Sequence, residues 1–143
     1  MTLAETIAAL DGFVPTGEEN VDVARLDEIV DRLVGPEQIK GATPAILRVF
    51  ERFPHTLLGS PGPLVHCVER TDIETFLPMV LESFRRHPNR MTLWMIDRCL
   101  RTGVPTRLHL SILSTLREIR RAPNAVDLHD DIDERLEEYG KGR

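Results

Sequence analysis

The sequence predicts an all-α protein, and three observations carry the prediction. Apolar residues recur with helical spacing in TDIETFLPMVLESFRRHP, residues 71–88. There Ile73, Phe76, Leu77, Val80, Leu81 and Phe84 fall at i, i+3, i+4, i+7, i+8 and i+11, one stripe of an amphipathic helix. Strand-like alternation over four or more residues is almost absent. Prolines, glycines and capping residues punctuate the chain at intervals that suit short helices joined by short connectors.

In chain order, Thr2 and Glu5 form a capping box for an opening helix that stops before Gly12. DGFVPTGEEN, residues 11–20, is the one linker-like stretch and reads as a loop. Residues 21–34 place Val23, Leu26, Ile29, Val30 and Leu33 on one face, and Gly35-Pro36 ends that run. Thr43-Pro44 opens a helix through Phe53, with Ile46, Leu47, Phe50 and Phe53 inward. Pro63 opens a short helix through about Arg70.

The 71–88 stripe starts at a Thr71–Glu74 capping box and ends with Arg85 and Arg86, suited to the C-terminal dipole, before Pro88. Pro78, inside the pattern, either kinks this helix or marks where its regular part begins. Residues 91–101 carry Leu93, Trp94, Ile96, Cys99 and Leu100, and Thr102-Gly103 closes them. Residues 105–121 align Leu108, Ile112, Leu116 and Ile119. The last helix, about 125–139, has a narrow seam of Leu128, Ile132, Leu136 and Tyr139, and residues 140–143 form a frayed tail.

Seven or eight short helices in antiparallel pairs imply a single helical domain over residues 1–143. No repeat period survives counting, so an irregular helical-repeat-like stack and an orthogonal bundle stand level. A chain of 143 residues buries about 68–70% of its unfolded surface, enough for a core without staples. Charged residues at 29% and hydrophobic ones at 41% place it among globular proteins. No apolar run approaches the roughly 18 residues that span a bilayer, and MTLAETIAAL lacks the basic flank of a secretory signal. A cytoplasmic location is therefore expected. Cys67 and Cys99 read as two buried free thiols.

Charge is unevenly placed. Residues 1–31 hold eight acids against Arg25 alone, residues 32–126 eight acids against fourteen bases, and residues 127–143 seven acids against three bases. The respective net charges are −7, +6 and −4, and sixteen of the eighteen cations are arginine. Acidic ends folding over a basic centre would give internal pairing; an acidic face left on the surface would attract a basic partner.

No familiar catalytic signature accounts for LLGSPGPLVHCVER, residues 57–70. Gly59-Ser60-Pro61-Gly62 lacks the preceding strand of a nucleophile elbow, and Pro61 removes an N–H that an oxyanion hole would use. No lysine follows to make a phosphate loop. A turn ending at a Pro-initiated helix explains every residue. On that helix Cys67 faces the core, and His66 lies on the other side with a local partner in Glu69. For metals, the five histidines are ten or more residues apart. In the strongest local cluster, DLHDDIDERLEE, the i, i+4 pairs His129/Asp133 and Asp127/Asp131 could each offer two ligands, on a helix whose acids are better read as solvated or partner-facing. No metal or cofactor is expected. The arginines Arg85, Arg86, Arg90, Arg98, Arg101, Arg107, Arg117, Arg120 and Arg121 could form a phosphate ridge. Net acidity and the lack of interleaved aromatics weigh against nucleic acid.

One family resemblance follows from these residues. LGSPGPLVHCVER together with RRHPNRMTLWMIDRCLR, over roughly residues 57–101, resembles small bacterial proteins of polymorphic-toxin and contact-dependent growth inhibition systems. What the resemblance implies is an immunity protein: a non-enzymatic binder that neutralises a cognate toxin domain by occluding or distorting its active site. Nuclease toxins are commonly basic because their substrate is polyanionic, and an acidic face would steer such a partner. The residues expected to engage it are Asp130, Asp131, Asp133, Glu134, Glu137 and Glu138, with Glu18, Glu19 and Asp22 as second choice. The alternative is a helical-repeat scaffold or regulator that uses its arginine-rich middle.

Overall fold

The structure, a computed structural model, describes residues 2–140. It is all-α. Among the described residues eight α-helices follow in order: α1 Leu3–Asp11, α2 Glu19–Val30, α3 Gly35–Arg52, α4 Pro63–Val68, α5 Ile73–Arg86, α6 Arg90–Thr102, α7 Thr106–Arg120 and α8 His129–Tyr139. A 3-10 segment, Pro123–Leu128, precedes α8, and no strand occurs among the described residues. The tail expected from residue 140 lies, beyond Gly140, outside the described residues. The chain divides into two compact units, one ending at Met79 and one beginning at Val80, so the division falls within α5.

In the first unit, the pairs α1–α2 and α3–α4 touch internally, α1 also packs on α3, and α2 on α4. First helix on first helix and second on second is the order of stacked helical-repeat pairs. The Thr2–Glu5 box forms as expected, with Thr2 Oγ1 accepting the Glu5 N–H at 3.1 Å. α3 then ties α1 down from both ends of the chemistry. Arg48 donates Nε and Nη2 to the two Asp11 oxygens at 2.9 and 3.0 Å, and Arg52 Nη2 donates to the Leu10 and Phe13 carbonyls at 3.1 and 3.0 Å. The Leu10 carbonyl belongs to the last turn of α1, which carries no base of its own, and Phe13 lies just past its end. The core here is built from Leu10, Leu26, Ile39, Ile46, Phe50 and Leu64, none more than 1% exposed.

Two elements, α3 and α5, depart here from the sequence expectation. α3 starts at Gly35, eight residues before the expected Thr43, because Gly35-Pro36 opens a helix rather than only ending one. Pro44 then lies inside α3 on its exposed side, where a missing N–H costs least. α5 runs through Pro78 from Ile73, so the proline does not mark its start. Thr71 does not cap this helix. Its hydroxyl donates to the Val68 carbonyl at 2.8 Å, while the Asp72 carbonyl accepts the N–H groups of Thr75 and Phe76.

The glycines of the 57–70 stretch face each other. Gly59 and Gly62 have φ of +106° and +90°, and a Cβ on Gly62 would sit 2.2 Å from the Leu58 carbonyl oxygen. Only glycine allows so close a backbone crossing. Ser60-Pro61 is a cis peptide. Pro63 then occupies the first turn of α4, as its sequence position predicts.

In the second unit α7 packs on α8, and the 3-10 segment packs on both. Asn89 caps α6 by accepting the Thr92 N–H at 3.0 Å. Ile96, Ile112, Leu116, Leu128 and Ile132 are fully buried, and Trp94, expected inward with its neighbours, is only half-buried. The expected helix over 125–139 is two pieces, since Ala125 has non-helical φ and ψ and α-helix begins at His129.

Candidate functional site

α8 carries the densest charge in the protein. Its core side is Ile132, fully buried, with Arg135, Leu136 and Tyr139 partly buried. On the other side Asp130, Asp133, Glu134, Glu137 and Glu138 are all exposed. Their spacing of i, i+3, i+4, i+7 and i+8 puts them on one face of a single helix. Asp130 and Asp131 also sit in the first turn, where the helix dipole favours acids.

Basic residues behind this face hold it in place. Arg120 of α7 donates Nε to Asp133 Oδ1 at 2.7 Å, and its Nη1 lies 3.0 Å from His129 Nδ1. That hydrogen bond holds the Asp133 carboxyl below the ordinary carboxylate range. The His129/Asp133 pair, which its spacing offers as two metal ligands, is thus occupied by a guanidinium. Asp131 is half-buried and contacts Arg90 of α6 at 3.4 Å. Arg135, facing inward from α8, meets the buried Asp97 of α6 at 3.2 Å, and Arg101 closes on the same carboxylate at 2.8 Å. His109, buried on α7, reaches the Tyr139 carbonyl at 3.0 Å, one of the last carbonyls of α8.

The second set of expected residues divides. Glu18 is exposed and Glu19 is half-buried at the start of α2. Asp22, expected on a docking surface, is instead fully buried. It accepts the Thr16 N–H at 2.8 Å, the Thr16 hydroxyl at 3.0 Å and the Gly17 N–H at 3.2 Å, which fold the 12–18 loop over it. These bonds, the Thr16 N–H above all, hold its carboxyl below the usual range. Asp22 is a loop anchor.

Most of the arginine-rich middle is spent inside the fold. Arg85 reaches Thr115 Oγ1 at 2.7 Å and Glu118 at 3.4 Å, and Arg90, Arg101 and Arg120 have the carboxylate partners given above. Arg117 on α7 and Arg121, its C-cap, lie exposed beside a shallow groove that also takes in Ser114 and Glu118. Cys67 and Cys99 are buried thiols outside any disulfide, as expected, and burial pushes the Cys67 thiol up to about 11. His66 is exposed on α4 and makes no hydrogen bond with Glu69, its expected partner. Buried thiol and exposed imidazole do not form a dyad. Among the described residues no group of three or more His, Cys, Asp or Glu side chains is placed to hold a metal ion. No described helix is long and apolar enough to cross a membrane.

Compared with protein-family models, with curated proteins and with solved structures, the chain matches none.

Proposed function

We propose that this chain is a cytoplasmic, non-enzymatic binding protein of the immunity type, which neutralises a basic toxin domain of the nuclease kind through the acidic face of α8. The observation that supports this reading is that face itself: Asp130, Asp133, Glu134, Glu137 and Glu138, exposed together on one helix. Five acids on one helix repel each other, so the arrangement costs stability at their expense unless a cation compensates it. Arg120 and Arg90 compensate Asp133 and Asp131 from behind and Arg135 lies 3.7 Å from Glu134, which leaves Asp130 and Glu138 directed at solvent. A basic partner gains on-rate from such a field and loses access to its polyanionic substrate in the same contact.

Co-purification with the toxin domain encoded beside it tests the reading, and failure to protect cells from that toxin overturns it. The variant Asp130→Asn/Glu134→Gln/Glu137→Gln/Glu138→Gln is expected to slow association with that toxin by about tenfold or more at low salt. Stopped-flow mixing across a salt series reads this. An unchanged rate would move the docking surface elsewhere. The scaffold reading has one observation in its favour, exposed Arg117 and Arg121, which have no carboxylate partner among the described residues. A steep salt dependence of nucleic-acid binding, lost in Arg117→Gln/Arg121→Gln, would put that reading first.

A further inference from the structure

Four ionisable side chains that the fold spends on nothing line one groove. The groove lies between α2 and α4, open to solvent, and has a volume of about 370 Å³, within the roughly 300–1,000 Å³ range of small-ligand sites. Asp27, in the last turn of α2, and Asp31, its C-cap, form one wall. His66 of α4 and Arg70, just past its end, form the other. Val30 and Cys67, both nearly buried, lie at its floor. All four ionisable groups are exposed, and none makes a side-chain hydrogen bond or ion pair among the described residues. Elsewhere Asp11, Asp22, Asp97, Asp131 and Asp133 are each held by a guanidinium or by amides.

The acids are also badly placed for the helix that bears them. Carboxylates at a helix C-terminus meet the negative end of its dipole, and α2 has no base in its last turn to offset them. A positive group brought from outside would remove that cost. Across the groove, Arg70 offers a planar fork suited to a carboxylate. A ligand of one charge would leave the opposite wall unpaired, whereas one carrying both charges serves both walls. Two carboxylates and one guanidinium match two positive groups and one negative group, the pattern of a basic amino acid.

We propose that the α2–α4 groove binds a zwitterionic ligand of amino-acid size, with its cationic groups on Asp27 and Asp31 and its carboxylate on Arg70. The apolar floor takes the aliphatic stem, as such stems pack elsewhere in proteins. This site uses none of the residues of the α8 face, so it stands or falls independently of the toxin-binding reading.

The test is a titration of the ¹⁵N-labelled full chain with L-arginine and, separately, with agmatine, which has the same cationic groups at its ends and no carboxylate. Amide shifts are expected to saturate with arginine and to centre on the residues that line the groove, with agmatine weaker by roughly tenfold. Arg70→Gln is expected to abolish the difference between the two, and Asp27→Asn/Asp31→Asn to abolish saturation by either. All these side chains are exposed, and an unchanged circular dichroism spectrum checks that each variant is folded. Shifts that never saturate in the millimolar range, or wild-type titrations that are alike for arginine and agmatine, overturn the proposal.

Discussion

The Asp22 carboxylate and the Thr16 backbone lock the 12–18 loop: Oδ1 accepts the Thr16 N–H at 2.8 Å and its hydroxyl at 3.0 Å, with no solvent exposure at the aspartate. A buried carboxylate held by amides is an acid kept ionised by the fold. Its folded-state pKa lies below the ordinary value of 3.8. The unfolded chain therefore takes up a proton at a higher pH than the native one. Stability from this group is full above the unfolded value and is lost as pH falls below it through the depressed folded value. Asp22→Asn is expected to lower the melting temperature at pH 7 and to flatten its decline between about pH 4 and pH 2. Thermal melts of both proteins across that window check it.

The Gly59–Gly62 crossing makes a sharper demand. Gly62→Ala must fit a methyl 2.2 Å from the Leu58 carbonyl oxygen at a φ of +90°. Neither can be relieved without opening the turn that delivers Pro63 to α4. Gly17 has a similar φ of +95°, yet nothing lies within 4 Å of its would-be Cβ. Gly17→Ala is expected to cost about 1 kcal/mol, the backbone term alone, and Gly62→Ala about 3 kcal/mol or more. Urea denaturation of the two variants separates strain from collision, and equal losses would contradict the crossing.

Those two examples show why some of this molecule is legible in its sequence. A capping box, a Pro-opened helix or an i, i+4 stripe is a contact within one turn, so Thr2–Glu5, Pro63 and the stripe from Ile73 to Phe84 are read correctly from spacing. The acidic face of α8 is legible for the same reason, since 130, 134, 137 and 138 share a face on any helix. Two misreadings are local, the Thr71 hydroxyl turning back to the Val68 carbonyl and His66 standing apart from Glu69, and the others need a partner from elsewhere. Asp22 looks like a surface acid until the loop before it folds back and donates three hydrogen bonds. Gly35-Pro36 looks like a stop because its helix gains Ile39 and Ala42 as core residues only once α3 is packed. The α2–α4 groove joins Asp27 to Arg70 across more than forty residues, and no local pattern announces it.

Asp97 separates a bridge that matters from one that does not. It is 4% exposed and lies between Arg135, 18% exposed, and Arg101, 68% exposed. An exposed arginine pays entropy to hold a screened contact, whereas a part-buried one loses its compensation when the carboxylate is removed. Arg101→Ala is expected to cost about 0–1 kcal/mol. Asp97→Ala is expected to cost about 1–3 kcal/mol, because Arg135 loses its buried partner and keeps only the Asp131 carbonyl and the more exposed Asp131 and Glu134 carboxylates. The inner bridge joins α6 to α8, so the same variant is expected to loosen the helix that bears the acidic face. Faster hydrogen exchange in α8 amides than in α7 amides would register it.

Cys67 gives the last prediction. Its thiol is 3% exposed and burial raises its pKa to about 11, with Arg70 opposing the rise only weakly. Reactivity follows the thiolate, whose share at pH 7 is then on the order of one part in ten thousand. Alkylation of Cys67 in the folded protein by a small maleimide or iodoacetamide is expected to be far slower than that of a free cysteine. Its rate should climb about tenfold per pH unit towards pH 10 while the fold persists, as the thiolate fraction does. Mass spectrometry of timed, quenched samples gives the rate at that residue. A plateau near pH 8 would mean that the floor of the α2–α4 groove is wetter than its burial indicates, and that the apolar surface assigned to a ligand stem is not there.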